Sequence, residues 1–333
     1  PTKVVKYNEN INARFICSHF NMCLEKGEFP EILKDADIIP IHKKKEKCLK
    51  ENYRPVSILS NISKIYERLM YRQLYEYFVE FLLPSQCGFR KGFNAQHCLT
   101  LMLEKFKEML DTGNHFGALF TDLSKAFDCL DHKLLIAKLH FYGVSSISNK
   151  LIYSYLRGRT QRIKINETYS EVFEIEYDKP QGSVLGPLLF NIYIIDLFYE
   201  GEGIPITNYA DDSTPYACEK DIPTVISKLQ SASLKLFQWF ENNHLKANPG
   251  KSHLLLSSKS SIEMFIDDQK IQSSTSETLL GVTIDSELNF EEHLSSICNR
   301  VSKKLSALGR IANLKTFENR RRLLSNPNLI IAH

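Results

Sequence analysis

The sequence predicts an α+β fold, a split βαβ sheet with helices packed against it. Three observations carry this reading. Gly117 to Thr121 is a short apolar run that ends at Asp122 and reads as a buried strand. Ile204 to Tyr209, followed by Asp211 and Asp212, reads as a second strand closed by two adjacent acids. Helical stripes and a hairpin separate these strands and follow them, giving the order strand, helix, hairpin, helix, strand.

The elements follow in chain order. Residues 8–27 read as a helix with Ile11, Phe15, Ile16, Phe20 and Leu24 at helical spacing. Ile38 to Ile41 reads as a strand running into Lys43-Lys44-Lys45. Ser63 to Phe81 reads as a helix capped by Ser63, and residues 97–110 as another. Past Asp122, Ser124 is placed to cap a helix with Ala126, Phe127, Leu130, Leu134 and Leu135 inward, ended by Gly143. Ile163–Asn166 and Val172–Ile175 read as a hairpin. Val184 to Leu197 reads as a buried helix. Ile222, Val225, Ile226, Leu229, Leu236, Phe237 and Phe240 mark a long amphipathic one. Ser252–Ser257 and Ile262–Ile266 read as strands. Phe290, Leu294, Ile297, Val301, Leu305, Leu308 and Ile311 form the stripe of a last helix, flanked by Arg300, Lys303, Lys304 and Arg310.

Composition narrows the class. The 333 residues are 43% hydrophobic and 24% charged, an ordinary globular balance. A net charge of +3 is too small to argue a polyanionic partner, so that argument rests on where the positive residues lie. An apolar run long enough to span a membrane is missing from the sequence. Pro1-Thr2-Lys3-Val4 has neither an initiator Met nor a signal-like core, as expected of a fragment that is not secreted. The eight cysteines are dispersed without a C-x-x-C pair, which suits a reducing compartment. Cys17, His19 and Cys23 match no common zinc spacing.

The acids carry the chemistry. Adjacent carboxylates raise each other's pKa, so a strand end bearing two of them calls for a cation. Residues 122 and 211 are far enough apart in sequence for a helical crossover and one further element, which lets their strands be sheet neighbours. Three converging carboxylates would hold two divalent ions about 3.5–4 Å apart, the arrangement used for in-line phosphoryl displacement. Oxygen-only ligation suits Mg²⁺, with Mn²⁺ as a substitute.

Asp122-Leu123-Ser124-Lys125-Ala126-Phe127-Asp128, Pro180-Gln181-Gly182-Ser183-Val184-Leu185-Gly186-Pro187 and Tyr209-Ala210-Asp211-Asp212 resemble motifs A, B and C of a reverse transcriptase. Asp37 to Lys45, Asn52 to Ser57 and Gly88 to Gly92 resemble its fingers segments. Asn243 to Ser252 resembles motif D, and Leu279 to Asp285 motif E. The similarity runs from about residue 28 to 312 and points to polymerases of non-LTR (LINE-like, jockey-type) retrotransposons. Asp178 and Lys179 depart from the Gly and aliphatic residue usual before Pro-Gln-Gly, and Phe93-Asn94 replaces a small polar pair.

The resemblance implies a right-hand polymerase. Its fingers and an N-terminal extension span 1–115, its palm 116–287 with a fingers segment at about 143–180, and a partial thumb and tail 288–333. It implies RNA-directed DNA synthesis from a DNA primer on an RNA template with dNTPs, in cytoplasm and nucleus. Its competitor is a decayed, non-catalytic nucleic-acid binder of the same fold. By the same resemblance Asp122 and Asp211 are the principal metal ligands, with Asp212 beside them. Lys43 or Lys44, with Arg54, meets the triphosphate. Tyr209, Gln181 and Gly182 line the nucleotide and template pocket, and Lys251 is a proton donor to pyrophosphate. Arg300, Lys303, Lys304 and Arg310 follow a nucleic-acid backbone, where contacts are salt-sensitive.

By the same resemblance Phe127, five residues after Asp122, stands where a bulky ring would crowd a ribose 2′-hydroxyl. Phe127→Ala is therefore expected to let ribonucleotides compete in primer extension. Unchanged discrimination against ribonucleotides would remove the ring from that role.

Overall fold

The computed structural model describes residues 9–42, 46–123, 130–175, 182–200, 203–247, 249–266 and 268–312. The predicted Ser325–Asn328 tail and residues 124–129 lie outside them. The first described element is α1 (Glu9–Lys26), close to its predicted bounds. It precedes β1 (Asp35–His42) and β2 (Tyr53–Leu59), which pair antiparallel with Pro40 opposite Pro55. Helix α2 (Asn61–Phe78) follows.

The cap of α2 corrects the sequence reading. Ser60, not Ser63, accepts the N–H of Ser63, while the Ser63 hydroxyl donates to the Leu33 carbonyl. The helix also stops at Phe78 rather than Phe81. Helix α3 (Ala95–Asp111) is capped by Asn94. Strand β3 (His115–Asp122) comes next. The helix expected from Ser124 onward is confined, in its described part, to α4 (His132–Phe141). Asp131 is extended and caps that helix with its own carboxylate.

Helix α5 (Ser146–Leu156) leads into β4 (Arg159–Ile165), β5 (Thr168–Tyr169) and β6 (Phe173–Ile175). β4 pairs with β5 and β6 as the predicted hairpin and also runs parallel to β1, so these strands close one five-stranded sheet. The helix predicted over 184–197 divides into α6 (Gly186–Tyr193) and a 3₁₀ turn at Ile195–Tyr199.

The second sheet has six strands. They are β7 (Ile206–Tyr209), β8 (Asp212–Glu219), β9 (His253–Leu256), β10 (Glu263–Ile266), β11 (Gln269–Ser274) and β3. Their order is β10-β11-β9-β3-β8-β7, with β3 antiparallel to both β8 and β9. Helix α7 (Ile222–Asn242) packs on one face and α3 on the other. Residues of β3 alternate between the two cores: Leu119 joins the larger core with Val225, Leu229 and Leu236, and Phe116, Ala118 and Phe120 join the smaller one with Met102 and Phe106. Phe106 stacks on Phe116 with ring centroids 4.2 Å apart. A strand buried on both faces reads as a continuous apolar run, which is why Gly117–Thr121 was legible.

β12 (Ser276–Leu279) and β13 (Val282–Asp285) form a separate hairpin, followed by α8 (Glu291–Ala312). Among the described residues no helix is long and apolar enough to cross a membrane.

Gly117 sets the spacing of β3 from α7. A Cβ there would fall 2.6 Å from Val225 Cγ1, 2.7 Å from Leu256 Cδ2 and 2.8 Å from Leu229 Cδ1. Gly117→Ala is therefore expected to destabilise the fold by about 1–3 kcal/mol through overpacking. Denaturant unfolding measures it, and a wild-type midpoint would show that the helix yields freely.

Candidate active site

The two predicted acid strands are neighbours. In the β3–β8 ladder residue 122 stands directly opposite residue 212. Opposed residues of an antiparallel pair have Cα atoms about 4.5–5.5 Å apart. For Asp122 the backbone is described and the side chain is not. The Asp212 carboxylate lies on the α3 face of the sheet. There its charge adds to the Cys87 hydrogen bond and the burial that push the Cys98 thiol up.

Tyr209 pairs with Asp212 across β7 and β8, so Ala210 and Asp211 form a two-residue hairpin loop. Ala210 has φ 61° and Asp211 does not share the positive sign, the pattern of a type II′ turn. Glycine normally fills that first position, and a residue with a Cβ there costs on the order of 1 kcal/mol. Asp211, Asp212 and Tyr209 are all half-buried at this tip.

Three groups that the sequence reading missed hold the tip. Asn208 is fully buried, and its amide donates to the carbonyls of Ala210 (3.0 Å) and Asp212 (3.2 Å) and to Ser213 Oγ (3.0 Å). Its backbone pairs with the segment before α3: Asn208 N–H donates to Ser85 O, and Cys87 N–H to Asn208 O, each at 2.9 Å. Gly88 then lies against the turn itself, where a Cβ would come within 2.3 Å of Ala210 N. Asn191 on α6 fixes Gly88 through a 2.8 Å hydrogen bond to its carbonyl. The available signal was an Asn inside an apolar strand, a residue type depleted there unless its amide is used.

The segment Asn243 to Ser252, which resembles motif D, runs along the other side. Leu123 bridges to Ala247, and the Asp131 carboxylate pairs with His244 Nδ1 at 2.9 Å. Burial pushes the Asp131 carboxyl up, but bonds from Leu134 N–H, His244 and Lys133 N–H together hold it below its ordinary value. Lys251 is exposed in a 3₁₀ turn just before β9. His253 of β9 pairs with Phe120 of β3, which puts Lys251 at the end of the sheet where residue 122 lies.

Arg54 is exposed on β2 opposite Ile41, one residue from the end of β1. Gly182 has φ 116°, and a Cβ there would meet the Ser57 carbonyl of β2 at 2.8 Å, so the glycine lets the loop touch that strand. Lys43, Lys44, Phe127 and Gln181 lie outside the described residues. Arg300, Lys303 and Lys304 are exposed on α8, and Arg310 is placed there by its backbone alone. The stripe of α8 is open too, with Leu294 55%, Val301 48% and Leu305 61% exposed.

The donor set at 122, 211 and 212 is oxygen only, which fits Mg²⁺ and not the nitrogen and sulfur preferences of zinc. Among the described residues no group of three or more His, Cys, Asp or Glu is gathered within reach of one metal ion.

Residues 41–284 match the family described as reverse transcriptase (RNA-dependent DNA polymerase). The chain belongs to this reverse transcriptase family. It is 29% identical to the probable RNA-directed DNA polymerase from transposon BS of Drosophila melanogaster, over 89% of this chain and 34% of that protein. It is 27% identical to the RNA-directed DNA polymerase from mobile element jockey of the same organism, with the same coverage. The expected kinship with non-LTR, jockey-type elements is thus borne out. The chain spans about a third of the length of these curated relatives.

Among solved structures it resembles apo telomerase from Candida tropicalis, with a TM-score of 0.55, 10% identity, and coverage of 83% of this chain and 52% of that one. A form of that telomerase truncated from its C-terminal domain gives 0.53 and 14%, over 78% and 55%. This likeness shows a mixed α+β, polymerase-type fold.

In this chain Gly88→Ala is expected to force the acid-bearing turn to shift. Stability should fall by about 1–3 kcal/mol and primer extension by more than roughly tenfold. Unfolding and extension assays check both, and wild-type values in the two would contradict the close approach.

Proposed function

We propose that this chain is the catalytic region of a retrotransposon RNA-directed DNA polymerase, extending a DNA primer 3′-hydroxyl with dNTPs on an RNA template. The observation that carries the proposal is the register of β3 against β8, with residue 122 opposite Asp212 beside the Asp211 turn, in a chain of the reverse transcriptase family. The sheet of β3 and β7–β11 with α3 and α7 is read as the palm. The β1–β2–β4 sheet with its flanking helices is read as the fingers, and α8 as the start of the thumb.

Asp122 and Asp211 would hold two Mg²⁺ ions, with Asp212 as a further oxygen donor. Bound there, the ions would supply acidification of the primer hydroxyl and neutralisation of the triphosphate. The protein's own residues do the rest. Arg54 orients the triphosphate from β2, together with Lys43 or Lys44. Gln181 and Gly182 form one wall of the nucleotide and template pocket, Tyr209 stands at its floor, and Phe127 limits it at the ribose. Lys251 delivers a proton to the departing pyrophosphate from the sheet end beside residue 122. Arg300, Lys303, Lys304 and Arg310 follow the backbone of the template–primer duplex. Cytoplasm and nucleus are the compartments consistent with an element that copies its own transcript.

The test is primer extension on an RNA template with Mg²⁺ and dNTPs. Asp211→Asn should lower the rate at least ~100-fold, about 2.7 kcal/mol of transition-state stabilisation. Chelation of the metal should abolish synthesis in the unaltered chain. Undiminished extension by the Asn variant would overturn the assigned chemistry.

A further inference from the structure

Glu67 is the buried acid that the reaction above leaves unused. It sits in the middle of α2, with no exposed surface, yet its carboxylate is spent on a different part of the chain. Oε2 accepts the N–H of Val184 at 2.5 Å and the N–H of Leu185 at 3.4 Å, and Oε1 accepts the Tyr155 hydroxyl at 3.2 Å. Leu185 is the residue before α6 and has no side chain able to cap that helix. Ser183 Oγ accepts the next amide, that of Gly186, at 3.0 Å. A carboxylate from α2 thus takes up the two amides that lead into α6, and one hydroxyl takes the first amide of the helix, where the helix dipole favours negative charge.

The surroundings are built to keep this acid in place. Tyr155 is itself fully buried and packs edge-on against Phe29, with ring centroids 5.1 Å apart. Buried Arg159 donates to the Tyr155 carbonyl at 3.1 Å, and its guanidinium lies over the Tyr155 ring at 5.0 Å. Burial pushes the Glu67 carboxyl up, while Val184 N–H, the Arg159 charge and the Tyr155 hydroxyl draw it back. Directly before these amides, Gly182 rests on the Ser57 carbonyl of β2, the strand that carries Arg54.

We propose that Glu67 is a positioning residue for nucleotide and template selection: by holding, from α2, the amides that lead into α6, it fixes the Gly182–Leu185 turn against the strand bearing Arg54. The inference rests on the reading of Gly182 as a pocket residue. A buried acid that served folding alone would leave kinetic constants untouched in any variant that folds. A positioning acid separates KM from kcat and is rescued by a side chain that keeps an acceptor oxygen.

The experiment compares Glu67→Gln, Glu67→Asp and Glu67→Leu with the unaltered chain by hydrogen exchange and by steady-state extension. Glu67→Gln retains one carbonyl oxygen for Val184 and should stay within about threefold of wild type in both. Glu67→Asp withdraws the carboxylate by one methylene. It should speed exchange at residues 182–186 and raise KM for dNTP about tenfold, with a smaller loss of kcat. Glu67→Leu should do so more strongly. If Glu67→Leu fails to fold, Glu67→Asp and Glu67→Gln carry the comparison. Unchanged exchange at 182–186 in a folded Asp or Leu variant overturns the proposal, as does lowered stability with wild-type KM. Hydrogen exchange does not depend on activity. A chain that never extends a primer would therefore sink the polymerase reading while the exchange data still judge Glu67.

Discussion

The site depends on the pairing of β3 with β8. Both strands are covered on both faces, by α7 on one side and α3 on the other. Slipping the pair by one residue would move Leu119 out of the larger core and Phe116, Ala118 and Phe120 out of the smaller one. That penalty fixes the register, and the register sets residue 122 opposite Asp212. The acids themselves repel one another when ionised and supply no reason to meet. Their proximity is maintained by apolar packing several residues away.

The outer edge of the same sheet is managed with backbone bonds. β7 is a short terminal strand, and Ser85 to Cys87 runs beside it through two 2.9 Å hydrogen bonds with Asn208. The bonds hide unpaired groups that an open edge would expose. They also join the loop between α2 and α3 to the strand that leads into the acid turn.

Much of this was legible in the sequence because burial leaves periodic traces. The apolar run before Asp122, the stripe of α7 and the strands before and after Ser258 needed no tertiary information. What was missed depended on partners distant in sequence. β2 contains Pro55, which weakens a strand signal, and it is tolerated because β2 is the outer strand of its sheet. The cap of α2 was misplaced by three residues because Ser60 and Ser63 are equally good cap types, and the choice fell to the Leu33 carbonyl, which engages Ser63. The start of α4 was hidden because Leu130, Leu134 and Leu135 keep a helical spacing across it, while the Asp131 carboxylate caps the helix there. Glu67 carried no local signal, since an acid in a helix is ordinarily solvated, and its meaning arises from Val184, more than a hundred residues later.

At the contact of Gly88 with Ala210, main chain rests on main chain. Such a junction has no rotamer to absorb play, so a displacement on one side arrives on the other nearly undiminished. The loop leaving α2 and the tip carrying Asp211 therefore behave as the two arms of one lever.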